Sequence, residues 1–264
     1  MILTDEILHL LISDKVSERK NARNHVESLI SCDKLFEVIT SKEYSQLLRN
    51  SIIFESKELK SCLIKKKSCD LSNALLFKSI CKHVIKFGEI SISKTNELLK
   101  HLLVVINDET VNIGYKSIYI EIFTDVVFTS KCSQSITEEN LMLIFESISL
   151  ITLNVQKGLS INLLLKLVRS FCKALFFDLT DESFLTSVFE WLNKFLNKSV
   201  DSNEHWKYIN TVCDCYSDLL EYHAINHYDI FLKYIRFQTQ NFRNHIIIYI
   251  YMFLFYFILI KYTI

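Results

Sequence analysis

The stretch INLLLKLVRSFCKALFF, residues 161–177, shows most clearly how this chain folds. Apolar residues recur there every three or four positions, while Lys166, Arg169 and Lys173 fall on the opposite side. The apolar positions are Ile161, Leu164, Leu165, Val168, Phe171 and Leu175. This spacing predicts an amphipathic α-helix, in which one face packs against a core and the other meets solvent.

Three other segments show the same period. Their apolar stripes are Leu141, Ile144, Phe145, Ile148 and Ile151; Phe184, Val188, Trp191 and Phe195; and Trp206, Ile209, Cys213, Tyr216 and Leu220. Two of these segments follow pairs that resemble capping boxes, Ser135 with Glu138 and Asp201 with Glu204. We therefore expect a helix to begin at each of these pairs.

The helical segments are separated by polar breaks, so that one helix pair recurs roughly every 40–50 residues. The breaks fall near 107–114, 129–136, 154–159, 177–182, 198–203 and 224–228. This spacing is typical of HEAT and armadillo repeats, which stack through apolar faces and need little sequence identity between repeats. We predict an all-α fold, a HEAT/armadillo-like α-solenoid of antiparallel helix pairs over residues 1–240. A compact helical bundle is the alternative.

Composition excludes several classes of function. The 264 residues carry no net charge, so no global field attracts nucleic acid or anionic lipid. There are three glycines and no proline, too few for a glycine-rich phosphate loop, and the kinase, esterase and zinc-protease signatures are absent. The eight cysteines follow no export signal, which indicates reduced thiols. We predict no catalytic residue and no cofactor in this chain.

The best metal candidate is the set Cys213, Cys215, His223 and His227. Two cysteines at i and i+2 point to different sides of one helix, unlike the paired knuckles of structural zinc sites. We interpret the set as packed cysteines and surface histidines, and predict no metal site. The lysine run at 64–70 is interpreted as a solvated connection.

The C-terminal segment 241–264 differs from the rest of the chain, because from Ile246 to Ile260 every residue is apolar or Tyr. From Ile246 onward it has nearly the length of a membrane span. It could be a tail anchor, a buried helix, or the translation of a non-coding stretch. We favour the last, with 241–264 outside the native fold, and then the anchor.

The sequence LISDKVSERKNARNHVESLI, residues 11–30, places charges on one side of a predicted second helix and Val26, Leu29 and Ile30 on the other. Its order of residues resembles the N-terminal motif of the ATM family of giant phosphatidylinositol-3-kinase-related protein kinases. The motif spans about residues 8–30 in this chain. The matching positions are Leu11, Asp14, Lys15, Glu18, Arg19, Lys20, Leu29 and Ile30.

The resemblance, weaker beyond the motif, extends over roughly residues 1–235. It implies the first part of an α-solenoid that acts in telomere-length maintenance and DNA damage repair in the nucleus. It also implies protein partners, among them the Nbs-type subunit of a DNA-break sensor, and no phosphoryl transfer in this segment. Because the family's kinase domain lies thousands of residues away, we expect an N-terminal fragment of such a kinase.

The motif residues Leu11, Asp14, Lys15, Glu18, Arg19 and Lys20 are the predicted partner-binding site. We expect Lys15, Glu18 and Arg19 to be exposed. Changing Arg19 and Lys20 to Glu should therefore hardly affect thermal unfolding. Two other functions stay open: a tail-anchored helical protein, cytoplasmic rather than nuclear, and a generic HEAT-type adaptor. Direct nucleic-acid binding is also open, because only local lysines bear on it.

Overall fold

The computed structural model of this chain is helical wherever it describes regular structure. The residues described are 5–31, 41–65, 70–87, 91–128, 136–154, 158–175 and 182–223. Within these ranges lie ten α-helices and one π-helical turn, and no β-strand. The prediction of an all-α fold is therefore confirmed for this part of the chain.

The helices are numbered in chain order. The first six are α1 (Asp5–Leu11), α2 (Val16–Ser31), α3 (Ser41–Lys65), α4 (Leu71–Phe87), α5 (Ile92–Asn107) and α6 (Ile113–Ile122). A π-helical turn (Phe123–Val127) continues α6 directly. The other four are α7 (Glu138–Leu153), α8 (Ile161–Ala174), α9 (Glu182–Asn197) and α10 (His205–His223).

The chain divides into two compact units, Met1–Leu167 and Val168–Ile264, and the boundary falls within α8. In the first unit, α1 packs on α2, α3 on α4 and α5 on α6. The helices α1, α3, α5 and α7 also contact one another in succession, as do α2, α4 and α6. The described helices of this unit thus form two rows joined by sequential pairs.

The predicted helix starts lie close to the observed ones, but the capping residues differ. Helix α7 is capped by Thr137, whose hydroxyl accepts a hydrogen bond from the Asn140 amide, and the predicted cap Ser135 lies outside the described residues. Helix α10 begins at His205, and the Glu204 amide donates to the Ser202 hydroxyl. The capping box predicted at Asp201 is therefore wrong, because a nearer serine meets the free amide.

Three of the four predicted apolar stripes lie in the core. Leu141, Ile144 and Ile148 of α7 are buried, as are Phe184, Val188, Trp191 and Phe195 of α9. In α8 the buried positions include Leu164, Val168 and Phe171, while Lys166, Arg169 and Lys173 are exposed as predicted. Periodicity alone thus gave the inward face of these helices correctly.

The stripe predicted for α10 is wrong in its phase. Trp206 leaves 59% of its surface exposed, and Ile209 and Cys213 are only partly buried. The buried face of this helix consists of Tyr208, Val212, Cys215, Tyr216 and Leu219. Both sets have helical spacing, and packing against α9 selects the second because Tyr208, which belongs only to that set, packs on Phe195 with ring centroids 5.0 Å apart.

The π-helical turn carries an acid surrounded by lysines of the first unit. The Asp125 carboxylate lies 3.2 Å from the Lys78 ammonium and 3.1 Å from that of Lys82, and it also pairs with Lys166. Burial alone would raise the pKa of Asp125, but hydrogen bonds from the three lysines hold it well below its usual range. Lys166 is therefore exposed but paired, and it ties α8 to α4 and the turn.

No helix among the described ranges is both long and apolar enough to cross a bilayer. The apolar segment predicted over 241–264 lies outside those ranges. The tail anchor and the interpretation as non-coding sequence therefore stay predictions.

Candidate partner-binding site at the N-terminal motif

The predicted site lies at the connection between α1 and α2. Leu11 is the last residue of α1 and is fully buried. Asp14 and Lys15 precede α2, which begins at Val16, so they are not helical residues as the sequence suggested. Asp14 and Glu18 therefore do not lie along one face of a single helix, because α2 begins only after Lys15.

Lys15 and Glu18 form an ion pair at the start of α2. The Lys15 ammonium lies 2.8 Å from one Glu18 oxygen, and the Ser13 hydroxyl donates to the other at 2.5 Å. The Lys15 amide donates in turn to the Ser13 hydroxyl at 3.2 Å. Glu18 also stands in the first turn of α2, where a negative charge is favourable beside the free amides.

Arg19 is the motif residue that joins different parts of the fold. Its guanidinium donates to the carbonyl oxygen of Ser13 at 2.6 Å and to that of Asp14 at 3.2 Å. It also lies 3.7 Å from the Asp70 carboxylate, just before α4. Arg23, one helical turn further, reaches the same carboxylate at 2.9 Å. The expectation of a freely solvated Arg19 is therefore wrong.

Lys20 remains on the surface. It is exposed and makes no ion pair with any described residue. The motif thus has two parts with different surroundings: Leu11 and Arg19 are built into the fold, whereas Lys15 and Lys20 face solvent.

A pocket of about 610 Å³ opens beside the motif. Leu11, Asp14 and Arg19 line it, whereas Lys15, Glu18 and Lys20 do not. Its other walls come from the end of α3 and the start of α4, and they include Glu58, Ser61, Cys62, Lys65, Asp70 and Ser72. The structure therefore brings three of the six predicted residues together around one cavity.

Asn73 joins residues around this pocket by hydrogen bonds. Its amide nitrogen donates to the Leu11 carbonyl at 3.0 Å and to Glu58 Oε1 at 3.2 Å. Its amide oxygen accepts from Arg23 at 3.3 Å. One buried side chain of α4 thus holds the end of α1, the side of α2 and the floor of the pocket.

Behind the pocket, a chain of hydrogen bonds crosses the core of the first unit. Glu55 is fully buried on α3, and its Oε2 accepts from the Tyr115 hydroxyl at 2.5 Å and the Tyr119 hydroxyl at 2.8 Å. His101 Nε2 lies 2.9 Å from the Tyr119 oxygen, and its Nδ1 lies 3.1 Å from the Ser56 hydroxyl. Because Tyr119 donates to Glu55, we infer that His101 carries its proton on Nε2.

Two of the three glutamates of α3, Glu55 and Glu58, are buried, and each has one oxygen without a hydrogen bond from a described residue. These oxygens are Glu55 Oε1 and Glu58 Oε2. Burial raises the pKa of each carboxyl group, and the charge of Glu55 raises that of Glu58 further. Burial lowers the pKa of His101 to about 4. At neutral pH we therefore infer a protonated Glu58 and a neutral His101 beneath the motif.

The core residues of this site escaped prediction from sequence, although a signal was present. Glu55 and Glu58 stand on α3 in phase with the buried Leu48, Ile52 and Leu59. A carboxyl group within an apolar stripe indicates a buried acid that needs donors. The donors, Tyr115 and Tyr119, lie one helical turn apart on α6. They follow Glu55 by 60 and 64 residues, and periodicity within one helix does not predict contacts between helices so far apart in sequence.

The metal candidate does not assemble where the structure describes it. Cys215 is buried and interacts with Cys172, and burial raises the pKa of Cys213 to about 11. His227 and the side chain of His223 lie outside the described part. The described residues contain no cluster of His, Cys, Asp and Glu suited to a metal ion.

Comparison with protein-family models, with curated proteins and with solved structures found no match to this chain. The case for function therefore depends on the residues themselves.

Proposed function

We propose that this chain is a non-catalytic helical scaffold at the N-terminus of an ATM-like kinase. In this proposal it binds protein partners in the nucleus for DNA damage repair and telomere-length maintenance. The Nbs-type subunit of a break sensor is the partner that the motif implies. The proposal assigns no cofactor and no phosphoryl transfer to this segment.

The observation that carries the proposal is the way in which the motif joins helices of the first unit. Leu11 and Arg19 link α1 and α2 to Asp70 and Asn73 near the start of α4. A motif with this role orders the first helix pairs and presents Lys15 and Lys20 on their surface. A scaffold that must hold a fixed shape and also bind a partner needs both parts of the motif.

The two rows of helices support the finer architecture, an α-solenoid of the HEAT or armadillo type. In such a solenoid each helix contacts its pair partner and the equivalent helices of the neighbouring repeats. The contacts of α1, α3, α5 and α7 in one row, and of α2, α4 and α6 in the other, follow that rule. Under this interpretation the first unit contains three successive pairs and the start of a fourth.

The test is to edit the chromosomal gene that encodes this chain so that Lys15 and Lys20 become Glu. We expect shortened telomeres and weaker signalling after DNA damage, with the protein present at its normal level. The matched control is Lys194 and Lys198 changed to Glu, two exposed lysines of α9 and the turn after it. Normal telomeres and normal damage signalling in the Lys15/Lys20 strain would contradict the proposal.

A second candidate is a HEAT-type adaptor unrelated to ATM-like kinases. It is favoured by the structural role of Arg19, because a residue that ties two helix connections together needs no partner to explain it. Such an adaptor would tolerate deletion of this gene without any effect on telomere length. A strain in which this gene is deleted, compared with the Lys15/Lys20 strain, therefore distinguishes the two candidates.

A further inference from the structure

We propose that the exposed side of α3, together with α1 and α5, is a docking groove for an acidic amphipathic peptide segment of a partner protein. Two depressions meet on this side. One of about 370 Å³ lies between α1 and α3, and one of about 630 Å³ lies between α3 and α5. Arg49 lines both, so the two depressions adjoin at this side chain and are treated as one groove.

The groove is basic although the chain as a whole is neutral. Arg49, Lys57 and Lys100 line it and make no ion pair with a described residue, whereas Lys94 pairs with Glu97 at 3.2 Å. Helix α3 adds exposed Lys42 and Lys60 on the same side, and its Glu55 and Glu58 are turned into the core. With these two acids buried, the exposed face of α3 carries one acid, Glu43, against the exposed Lys42, Arg49, Lys57 and Lys60, and it keeps an excess of positive charge.

The floor of the groove is apolar. Leu8 and Phe54 are buried beneath the first depression, and Ile12 and Ile53 leave 37% and 40% of their surface exposed beside them. In the second depression Ile92 is 56% exposed. Exposed aliphatic side chains therefore line the same depressions as Arg49, Lys57 and Lys100.

This combination selects one kind of partner. A peptide helix can place leucine or phenylalanine side chains on an apolar floor while its acidic side chains meet the basic rim. A nucleic-acid backbone would use the cations but would leave Ile12, Ile53 and Ile92 against charged phosphates. We therefore infer an acidic peptide with apolar anchors rather than DNA or RNA.

The groove adjoins the motif pocket at Ile12, but none of the six predicted motif residues lines the groove. Its existence does not depend on the resemblance to ATM-like kinases. The inference can therefore succeed or fail independently of the proposed function.

The test begins with peptides of about 12 random residues displayed on phage and selected on the full chain, long enough for three helical turns. We expect enriched peptides to combine net negative charge with at least two large apolar residues. A labelled synthetic copy of the best peptide should bind at least about tenfold more weakly to the variant Arg49→Glu/Lys57→Glu, measured by fluorescence polarisation. The variant Lys194→Glu/Lys198→Glu makes the same change of charge outside the groove and should bind normally.

The contribution of the apolar side chains to peptide binding is tested with a separate variant. Ile53→Ser should also weaken peptide binding, and circular dichroism checks that each variant keeps its helical content. If charge reversal reduces that content, Arg49→Gln/Lys57→Gln replaces it and should still weaken binding severalfold. Selected peptides that bind equally well to the groove variants would overturn the proposal. So would a single-stranded oligonucleotide that binds as tightly as the best peptide and is unaffected by Ile53→Ser.

Discussion

The two compact units of this chain fill their cores with different chemistry. In the first unit, the buried rings of Tyr115 and Tyr119 stack 5.2 Å apart and direct their hydroxyls to the buried Glu55 carboxylate. In the second unit, aromatic rings pack on one another: Phe171 meets Trp191 edge-on at 5.9 Å, and Tyr216 stacks on Phe189. One core depends on hydrogen bonds and protonation, and the other mainly on apolar burial.

The difference has a consequence for pH. The buried carboxyl groups of the first unit have pKa values raised by burial, and His101 has its pKa lowered to about 4. In the second unit, burial raises the pKa of Cys215 and Tyr208 further into the alkaline range. Near neutral pH, therefore, protonation should affect the first core and leave the second unchanged.

The direction follows from the protons bound in each state. An unfolded glutamate loses its proton near its ordinary pKa of 4.5, whereas folded Glu58 keeps it to a much higher pH. The unfolded state then binds fewer protons, so the free energy of unfolding falls as pH rises. His101 has the opposite effect, but only below its ordinary pKa of 6.5. Above pH 6.5 the carboxyl effect should stand alone.

The largest predicted effect is in the aromatic core. Trp191→Ala removes a buried ring from α9 and should lower the free energy of unfolding of the second unit by about 3–5 kcal/mol. Urea titration followed by circular dichroism measures it, and the loss should be the same at pH 6.5 and pH 8. Trp206→Ala is the matched control, because this exposed ring should contribute little. Equal losses from both changes would contradict the assignment of this core.

The next largest effect is expected at Glu58, whose buried carboxyl group lowers the free energy of unfolding at high pH. Glu58→Gln keeps the shape of the side chain and removes the group that must hold a proton, so the variant should be more stable than the native chain at pH 8. One retained proton corresponds to about 1.4 kcal/mol per pH unit. The stability difference between variant and native chain should therefore grow by about 2 kcal/mol from pH 6.5 to pH 8.

The control for this prediction is Glu190→Gln, an exposed glutamate of α9 that should leave the pH dependence as it is. Parallel pH profiles for native chain and Glu58→Gln would show that Glu58 is ionised in the folded protein.

Arg19→Ala should cost about 1–2 kcal/mol, because it removes hydrogen bonds to two carbonyl groups and the contact with Asp70. Lys20→Ala, the adjacent exposed residue, should change stability by less than about 0.5 kcal/mol. Thermal melting of both variants measures the difference. Indistinguishable melting curves would restore the interpretation of Arg19 as a surface charge.

The smallest effect is expected for the ion pair between Lys15 and Glu18 at the start of α2. Lys15 and Glu18 form an exposed pair three residues apart, and such surface pairs contribute little to stability. Lys15→Ala should therefore lower the melting temperature only slightly, and the difference should vanish in high salt. A larger loss that persists in high salt would mean that Lys15 stabilises the connection in another way.

Sequence alone was sufficient for the helical class and for the faces of α7, α8 and α9, because burial of an amphipathic helix follows its period. It failed at α10, where two stripes of equal spacing compete and the contact of Tyr208 with Phe195 of α9 distinguishes them. It also placed Arg19 on the surface, since a charge pattern does not reveal that a distant Asp70 will lie beside it. The Glu55 network was missed for the same reason: its partners lie on other helices.

Hydrogen exchange of the full chain at pH 6.5 and pH 8.5, corrected for intrinsic exchange rates, tests the difference between the two cores most directly. We predict that amides of α3 and α6 lose protection at the higher pH, while amides of α9 and α10 keep theirs. The Glu58→Gln variant should reduce the loss in α3 and α6 and leave only the part due to Glu55. Equal changes in both units, or unchanged protection of α3 in the native chain, would contradict a protonated Glu58 in the first core.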